Sequence, residues 1–129
     1  MLFRSQYEPE IRNTVDVLGD SDWDAIHTGM RMVVENTKEF DGFPIEAAGK
    51  TGTAQEDLKR PNHALFVGYA PYDNPEISIA TRIANGYTSH NAAEVSKKIL
   101  AYYFKVEDAD SLLNGQAENI NATSNGVND

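Results

Sequence analysis

Hydrophobic and polar positions along the chain indicate two amphipathic helices and several extended segments. Over residues 21–36, apolar side chains recur at spacings of three and four, which predicts a helix with one buried face. Ser21 is the expected N-cap of this helix, and Asp24, three residues later, completes a capping-box pattern. The apolar stripe that we expect to face the core consists of Trp23, Ile26, Met30, Val33 and Val34.

The extended segments differ in how clearly the pattern marks them. Val15 and Val17 alternate with polar residues, which suggests a short strand over residues 11–18. Small and β-branched residues over 45–54 predict a strand that another backbone or a ligand approaches closely. Residues 63–70 and 77–85 are separated by a turn rich in Pro, Asp and Asn, so they predict an antiparallel hairpin with one buried face.

A second helix is predicted at residues 89–104, with Ser89 or Asn91 as its cap. Its apolar stripe consists of Val95, Ile99 and Tyr102, with Ala92 and Tyr103 beside it. From residue 105 onward the composition becomes polar, which is typical of a disordered tail.

These elements predict an α+β fold with an antiparallel sheet of about three strands flanked by helices. The chain then divides into an extended lead-in segment at 1–20, a main folded part at 21–104, and a polar tail at 105–129.

Composition narrows the choice of function. The chain has 129 residues with 11 Lys and Arg against 20 Asp and Glu, a formal net charge of −9. This balance argues against nucleic acid as a partner, because phosphate binding needs clustered cations. The absence of cysteine excludes disulfides and thiolate metal sites. His27, His63 and His90 lack the spacing of metal ligands, so neither a metal nor another cofactor is predicted.

The segment that carries chemistry is Gly49–Gln55, and two interpretations compete for it. A phosphate-binding loop would share its Gly-Lys-Thr ending. However, Pro44 stands where that loop needs its first glycine, and Gly52 and Pro61 interrupt the helix that should follow. The alternative is the K-T-G box of serine acyl transferases, which lies on a strand.

The residue types at this box suit the recognition of a carboxylate beside an acyl-transfer centre. Lys50 supplies positive charge, and the hydroxyls of Thr51 and Thr53 can hydrogen-bond a carboxylate. Gly52 leaves the backbone bare, and a backbone N–H just beyond it can stabilise an oxyanion. Strand alternation places Lys50 on the face opposite Thr51 and Thr53. A site at an edge strand could still gather all three.

In its wider context the box resembles the penicillin-binding transpeptidase family. The resemblance is carried by Gly49–Gln55, then His63–Pro71, then Ile77–Ile83, with the helix of Ser21–Val34 similar to the one that precedes the box in the family. It extends from about residue 3 to 104. It is closest to the C-terminal part of the monofunctional, class B type.

The resemblance implies a role for each residue of the box. Lys50 would be catalytic, shaping the electrostatics near the serine of an S-x-N motif. Thr51 and Thr53 would bind the carboxylate of the substrate or of a β-lactam, and Gly52 would be the position of close approach. The backbone N–H of Thr53 would be one of two oxyanion donors.

The resemblance also implies the activity of the parent protein. Members of the family acylate a serine with a D-Ala-D-Ala stem peptide, release D-Ala, and pass the acyl group to an amine on a neighbouring peptide. The implied partners are peptidoglycan stem peptides, β-lactam antibiotics, the rest of the transpeptidase domain and a membrane glycan polymerase. The implied location is the extracytoplasmic face of the bacterial cell membrane, with the anchor outside this chain.

The chain departs from the family pattern because it lacks the nucleophile. None of its serines has a lysine three residues later, and no S-x-N precedes Lys50. In the family both motifs lie upstream, so we expect the isolated chain to have no transpeptidase activity.

The alternative is a non-catalytic module that retains the sheet for binding or assembly. Open strand edges also predict self-association or marginal stability of the isolated chain.

Overall fold

The computed structural model describes residues 10–11 and 13–112, which form a small sheet with helices packed against it. The elements in chain order are helix α1 (Asp20–Glu35), a 3-10 helix (Lys38–Phe40), strands β1 (Ala48–Ala54), β2 (His63–Ala70) and β3 (Ile77–Ile83), and helices α2 (Ser89–Tyr103) and α3 (Ala109–Leu112). The sheet has the order β1-β2-β3 and is antiparallel throughout. The predicted α+β class, with an antiparallel sheet flanked by helices, is confirmed.

Helix α2 covers one face of the sheet, and Phe66 of β2 is the largest side chain fully buried there. Phe66 is 1 % exposed and stacks on Phe40, with ring centroids 5.6 Å apart. Leu100 of α2 is equally buried. Ser96 of α2 hydrogen-bonds Thr81 of β3 at 2.8 Å. The core is therefore centred on one aromatic ring held between helix and sheet.

The opposite face of the sheet is open along its middle. The register places Lys50, Val67 and Ala80 side by side on this face, and all three are exposed. Val67 is 49 % exposed although it lies next to the fully buried Phe66 in the chain. This difference follows from the two-residue period of a strand, which directs neighbours to opposite faces.

Helix α1 begins two residues earlier than an N-cap at Ser21 predicts. Its N-cap is Gly19, and the carboxylate of Asp22 accepts a hydrogen bond from the Gly19 N–H at 3.0 Å. The predicted capping box of Ser21 and Asp24 is therefore wrong. Both residues belong to the helix itself. The acidic residues of its first turn are Asp20 and Asp22, which interact favourably with the helix dipole.

The apolar stripe predicted for α2 lies on the wrong side of the helix. Its members are exposed, at 40 % for Val95, 46 % for Ile99 and 61 % for Tyr102. Its buried residues are Leu100 and the small residues Ser89, Ala92, Ala93, Ser96 and Ala101. Small residues are required there because the ring of Phe66 already fills the space between α2 and the sheet.

The N-terminus of α2 also differs from the prediction. Thr88 is the N-cap, and its hydroxyl accepts a hydrogen bond from the His90 N–H at 3.4 Å. Ser89 and Asn91, the predicted caps, lie within the helix. The side-chain amide of Asn91 instead donates to the carbonyl of Gly86 at 2.7 Å, which ties the helix to the turn after β3.

The two ends of the chain are described only in part. Residues 10–11 and 13–19 contain no strand, so the strand suggested near Val15 and Val17 is wrong for the described residues. The side chains of both valines are exposed, and no described strand lies beside them. At the other end, the segment predicted as a tail begins with turns and helix α3. Its remainder, residues 113–129, lies outside the described residues.

None of the helices within residues 10–11 and 13–112 has the length and apolar composition needed to cross a bilayer.

Replacement of Phe66 by alanine tests how much the buried ring stabilises the fold. We expect Phe66→Ala to lower the free energy of unfolding by about 3–5 kcal/mol, because it leaves a cavity between α2 and the sheet. Val67→Ala, on the open face, should lower it by less than about 1 kcal/mol. Urea unfolding followed by circular dichroism measures both. Equal losses for the two variants would contradict this account of the core.

Candidate active site

The edge of β1 that faces away from β2 is the candidate site, since it borders the residues Lys50–Thr53. Two hydrogen bonds show which residues turn toward this edge. The carbonyl of Ala47 accepts from the guanidinium of Arg31 at 3.3 Å. The carbonyl of Thr51 accepts from the ammonium of Lys50 at 2.8 Å. Both carbonyls therefore point away from β2.

The remaining backbone groups of β1 follow from alternation. In an antiparallel strand each residue directs its N–H and C=O to the same side, and neighbours alternate. Gly49 and Thr53 consequently point to the same edge as Thr51. Among the described residues no strand pairs with β1 there. This edge thus presents the N–H groups of Thr51 and Thr53 without backbone partners from the described part of the chain.

The side chains of the box lie on opposite faces of the sheet, as the alternation predicts. Lys50 is exposed on the open face, in register with Val67. Thr51 and Thr53 are partly buried on the face that α2 covers, and Thr51 is in register with Phe66. The structure therefore brings the lysine and the two threonines to a common border and not to a common face.

The hydroxyl of Thr53 is buried and has no hydrogen-bond partner among the described residues. An unsatisfied buried hydroxyl is costly, so such groups are rare in folded proteins. A rotation of about 120° around χ1 would place this hydroxyl where the methyl group or the Hβ atom of the same side chain now lies. Thr53 thus has hydrogen-bonding capacity that the described fold does not use.

The two glycines of the box have different surroundings. A Cβ atom on Gly49 would clash with the ring of Phe66 and would lie 2.8 Å from the carbonyl oxygen of Val67. Gly49 is therefore required by the core. A Cβ on Gly52 would meet nothing closer than Leu65 at 3.4 Å, which is an ordinary contact. The absence of a side chain at Gly52 is not demanded by packing, and it leaves the open face bare beside Lys50.

Arg31 of α1 limits how much of the edge is available. In addition to Ala47, its guanidinium lies 3.3 Å from the carboxylates of Glu35 and Glu46. These contacts hold α1 against the start of β1. A ligand that extends the sheet on this side would therefore meet β1 beyond Ala47, at the residues of the box.

A shallow cavity of about 320 Å³ lies on the open face beside the box. Its floor is apolar, and Lys50 and Arg82 stand at its border. The lining residues are Lys50, Thr51, Gly52, Leu65, Val67, Ala80, Thr81 and Arg82. Arg82 is exposed, as expected for a surface strand position.

Tyr69 lies opposite Ala48, the first residue of β1. Burial is the main cause that raises the pKa of the Tyr69 phenol, and the neighbouring Tyr72 raises it further. The Tyr69 hydroxyl is buried without a partner among the described residues. Its ring lies 5.6 Å from His27 of α1, so it belongs to the contact that packs α1 beside the strand.

Comparison with known proteins identifies the family of the chain. A family model of the penicillin-binding protein transpeptidase domain matches residues 8–101. The chain belongs to this family. The resemblance predicted from the segment around Lys50 is therefore confirmed.

Individual members of the transpeptidase family show how much of a relative the chain represents. The peptidoglycan D,D-transpeptidase MrdA of Haemophilus influenzae is 35 % identical in an alignment of 101 positions that covers 63 % of this chain and 16 % of the relative. MrdA of Acinetobacter baumannii is 37 % identical in an alignment of 100 positions that covers 65 % of this chain and 15 % of the relative. The chain thus spans about a sixth of the curated relatives that it matches.

A solved structure extends the likeness over most of the described fold. Pseudomonas aeruginosa PBP2 in complex with WCK 5153 aligns with a TM-score of 0.67 and 30 % identity. The alignment covers 87 % of this chain and 26 % of that one. Penicillin-binding protein A of Mycobacterium tuberculosis, as an imipenem acyl-enzyme complex, shares the fold with a TM-score of 0.59 at 22 % identity.

Sequence reasoning missed two interactions around the box. Arg31 was not recognised as a partner of β1, although its spacing of four from Glu35 marks a helical ion pair. Glu56 lies in the loop that follows β1, and its carboxylate lies 2.6 Å from the ring of His63. That pair carries no sequence signal, because a loop and a strand that follows it can meet in many ways.

Valine substitutions test whether the Thr53 hydroxyl is unused by the fold. Thr53→Val removes a hydroxyl without a partner, so we expect an unchanged or slightly higher melting temperature. Thr81→Val is the matched control and removes the hydrogen bond to Ser96, which should cost about 0.5–1.5 kcal/mol. Thermal unfolding of both variants measures the difference. A larger loss for Thr53→Val than for Thr81→Val would contradict the assignment.

Proposed function

We propose that this chain supplies one wall of the acyl-transfer site of a class B peptidoglycan D,D-transpeptidase. The observation that carries the proposal is the edge of β1, where the N–H groups of Thr51 and Thr53 have no backbone partner among the described residues and lie beside a lysine and a bare glycine. The parent enzyme would cross-link stem peptides through a serine acyl-enzyme, and β-lactams would acylate the same serine.

Peptide binding at this edge would use the backbone of β1. An extended peptide can add to an exposed sheet edge as a further strand, with main-chain hydrogen bonds giving affinity. The outward N–H and C=O groups of Thr51 offer such bonds. The N–H of Thr53 would serve as an oxyanion donor, because a fixed N–H directed at developing charge lowers the barrier to acyl transfer.

Side chains of the box would orient the substrate carboxylate. Lys50 places a positive charge at the open face, and its ammonium would favour both a carboxylate and an ionised serine nearby. The hydroxyls of Thr51 and Thr53 would hydrogen-bond the carboxylate. The unused hydroxyl of Thr53 supports this role, since a substrate would provide the partner that the described fold lacks.

The serine nucleophile would come from the rest of the transpeptidase domain, which we propose as the main partner of this chain. Two features support such a partner: the sheet face around Val67 is open, and the outer side of α2 exposes Val95, Ile99 and Tyr102. In the absence of a partner, the open edges of the sheet would promote self-association. For the parent protein we propose the extracytoplasmic face of the bacterial cell membrane and association with a membrane glycan polymerase.

A chimeric enzyme tests the proposal. The matched segment of the Haemophilus influenzae relative would be replaced by residues 10–112 of this chain, and the product exposed to a fluorescent penicillin. We expect covalent labelling. Gly52→Ala should slow labelling by about 10- to 100-fold, because the added methyl group displaces the ligand from the strand.

Gly29→Ala is the matched control for the chimera, because a Cβ there meets nothing within 4 Å. It should leave the labelling rate unchanged. A chimera that melts cooperatively but takes up no penicillin would refute the catalytic proposal. That outcome would favour the alternative, a non-catalytic module that uses the sheet for binding or assembly and that lacks S-x-x-K for this reason.

The isolated chain should not react with penicillin. Without an S-x-x-K serine it has no nucleophile for the β-lactam ring. Intact-mass spectrometry after incubation with the fluorescent penicillin measures this. A covalent adduct on the isolated chain would show that the nucleophile lies within it.

A further inference from the structure

His63 occupies the end of the sheet nearest to Thr53. It is the first residue of β2 and stands opposite Ala54, the last residue of β1. Its neighbour Ala64 stands opposite Thr53. His63 is only 8 % exposed, so its ring is enclosed by the fold and does not lie on the surface.

Both ring nitrogens of His63 are hydrogen-bonded. Nδ1 accepts from the backbone N–H of Asn85 at 3.0 Å. Because a backbone N–H can only donate, Nδ1 must be unprotonated in this arrangement. The proton of the neutral ring is then on Nε2, which donates to the carboxylate of Glu56 at 2.6 Å. The contacts therefore assign the tautomer as well as the orientation of the ring.

These bonds connect three segments that meet at the end of β1. Glu56 lies in the loop that follows β1, and Asn85 lies in the turn that follows β3 with a φ of 53°. That turn is bonded to the start of β2 through Tyr87 N–H and Asn62 C=O at 3.0 Å. Among hydrogen bonds between described residues, the Glu56 contact is the one that joins loop 55–61 to the sheet.

Two other roles for His63 fit the geometry less well. The described residues contain no group of three or more His, Cys, Asp or Glu side chains that could hold a metal ion. A general base needs a ring nitrogen within reach of the substrate, but Nδ1 and Nε2 are both occupied by protein groups. The ring is therefore placed to hold structure and not to exchange protons with a ligand.

We infer that His63 is a positioning residue, which, with Glu56 and Asn85, fixes the end of β1 that presents the N–H and hydroxyl of Thr53. The reason for holding this end of β1 in place rests on the proposed function, because it supposes that Thr53 contacts the substrate. The hydrogen bonds of His63 with Glu56 and Asn85, which we call the tie, do not depend on that function. It can therefore be measured in the 129-residue chain without any ligand.

The first test uses NMR on the full chain to measure the tautomer of His63 and the exchange of backbone amides. Long-range proton–nitrogen spectra should show His63 as the neutral Nε2–H tautomer. Glu56→Ala should raise the hydrogen-exchange rate of the Ala54 amide by about 3- to 10-fold, because the end of β1 loses its anchor. The amide of Lys50, in the middle of the strand, should be unaffected. Glu56→Gln keeps an acceptor for Nε2–H and should restore most of the protection at Ala54.

The matched control is Glu76→Ala, which removes another exposed carboxylate outside the tie. It should leave exchange at Ala54 unchanged. A Nδ1–H tautomer for His63, or an Ala54 exchange rate that Glu56→Ala does not alter, would overturn the inference. Because Glu56 has 73 % of its side chain exposed, its truncation leaves the core intact and the chain folded.

The second test measures how the tie affects penicillin labelling of the chimeric enzyme described above. Glu56→Ala should lower the rate of labelling by fluorescent penicillin about 3- to 10-fold, Glu56→Gln should recover it, and Glu76→Ala should have no effect. An unchanged labelling rate with a loosened Ala54 amide would overturn the positioning role. A chimera that is never labelled would refute the proposed function instead, and the exchange measurement would still decide whether the tie exists.

Discussion

Every second residue of β1 turns its N–H and C=O away from β2, because an antiparallel strand bonds a single neighbour through alternate residues. In this chain the outward residues are Gly49, Thr51 and Thr53, and the inward ones include Lys50 and Gly52. The same alternation separates the side chains of lysine and threonine onto two faces. The chemistry that we propose for the box is consequently placed at the edge itself, where backbone groups and both kinds of side chain meet.

The packing beneath this edge holds it in position. Gly49 permits the ring of Phe66 to lie directly under the strand, and the alanines of α2 let the helix approach the ring from the other side. Arg31 secures the start of β1 through the carbonyl of Ala47. A site at a strand edge is usually the least stable part of a sheet, since half of its backbone bonds are absent. Here the first half of the strand is supported by buried contacts, and the open residues follow it.

The sequence predicted the hairpin of β2 and β3 well, because its two apolar runs are separated by a turn whose prolines and acidic residues have few alternatives. It also predicted that Lys50 would oppose the threonines. It failed where local pattern and tertiary packing differ. The bulky stripe of α2 looked like a core face, but Phe66 left room only for small residues such as Ala92. The partnership of Asn85 with His63 spans 22 residues, and no spacing rule reports such a contact.

The outer side of β3 has the complementary pattern. Because the even-numbered residues of β2 bond β3, the outward backbone groups of β3 belong to Ser78, Ala80 and Arg82. The sheet is thus bounded by two borders of unlike character, one rich in glycine and threonine and one carrying a guanidinium. Strands added beyond β3 would widen the sheet without obstructing the border at Lys50. In the proposed function, ligand binding and any extension of the sheet would therefore use opposite edges of the same three strands.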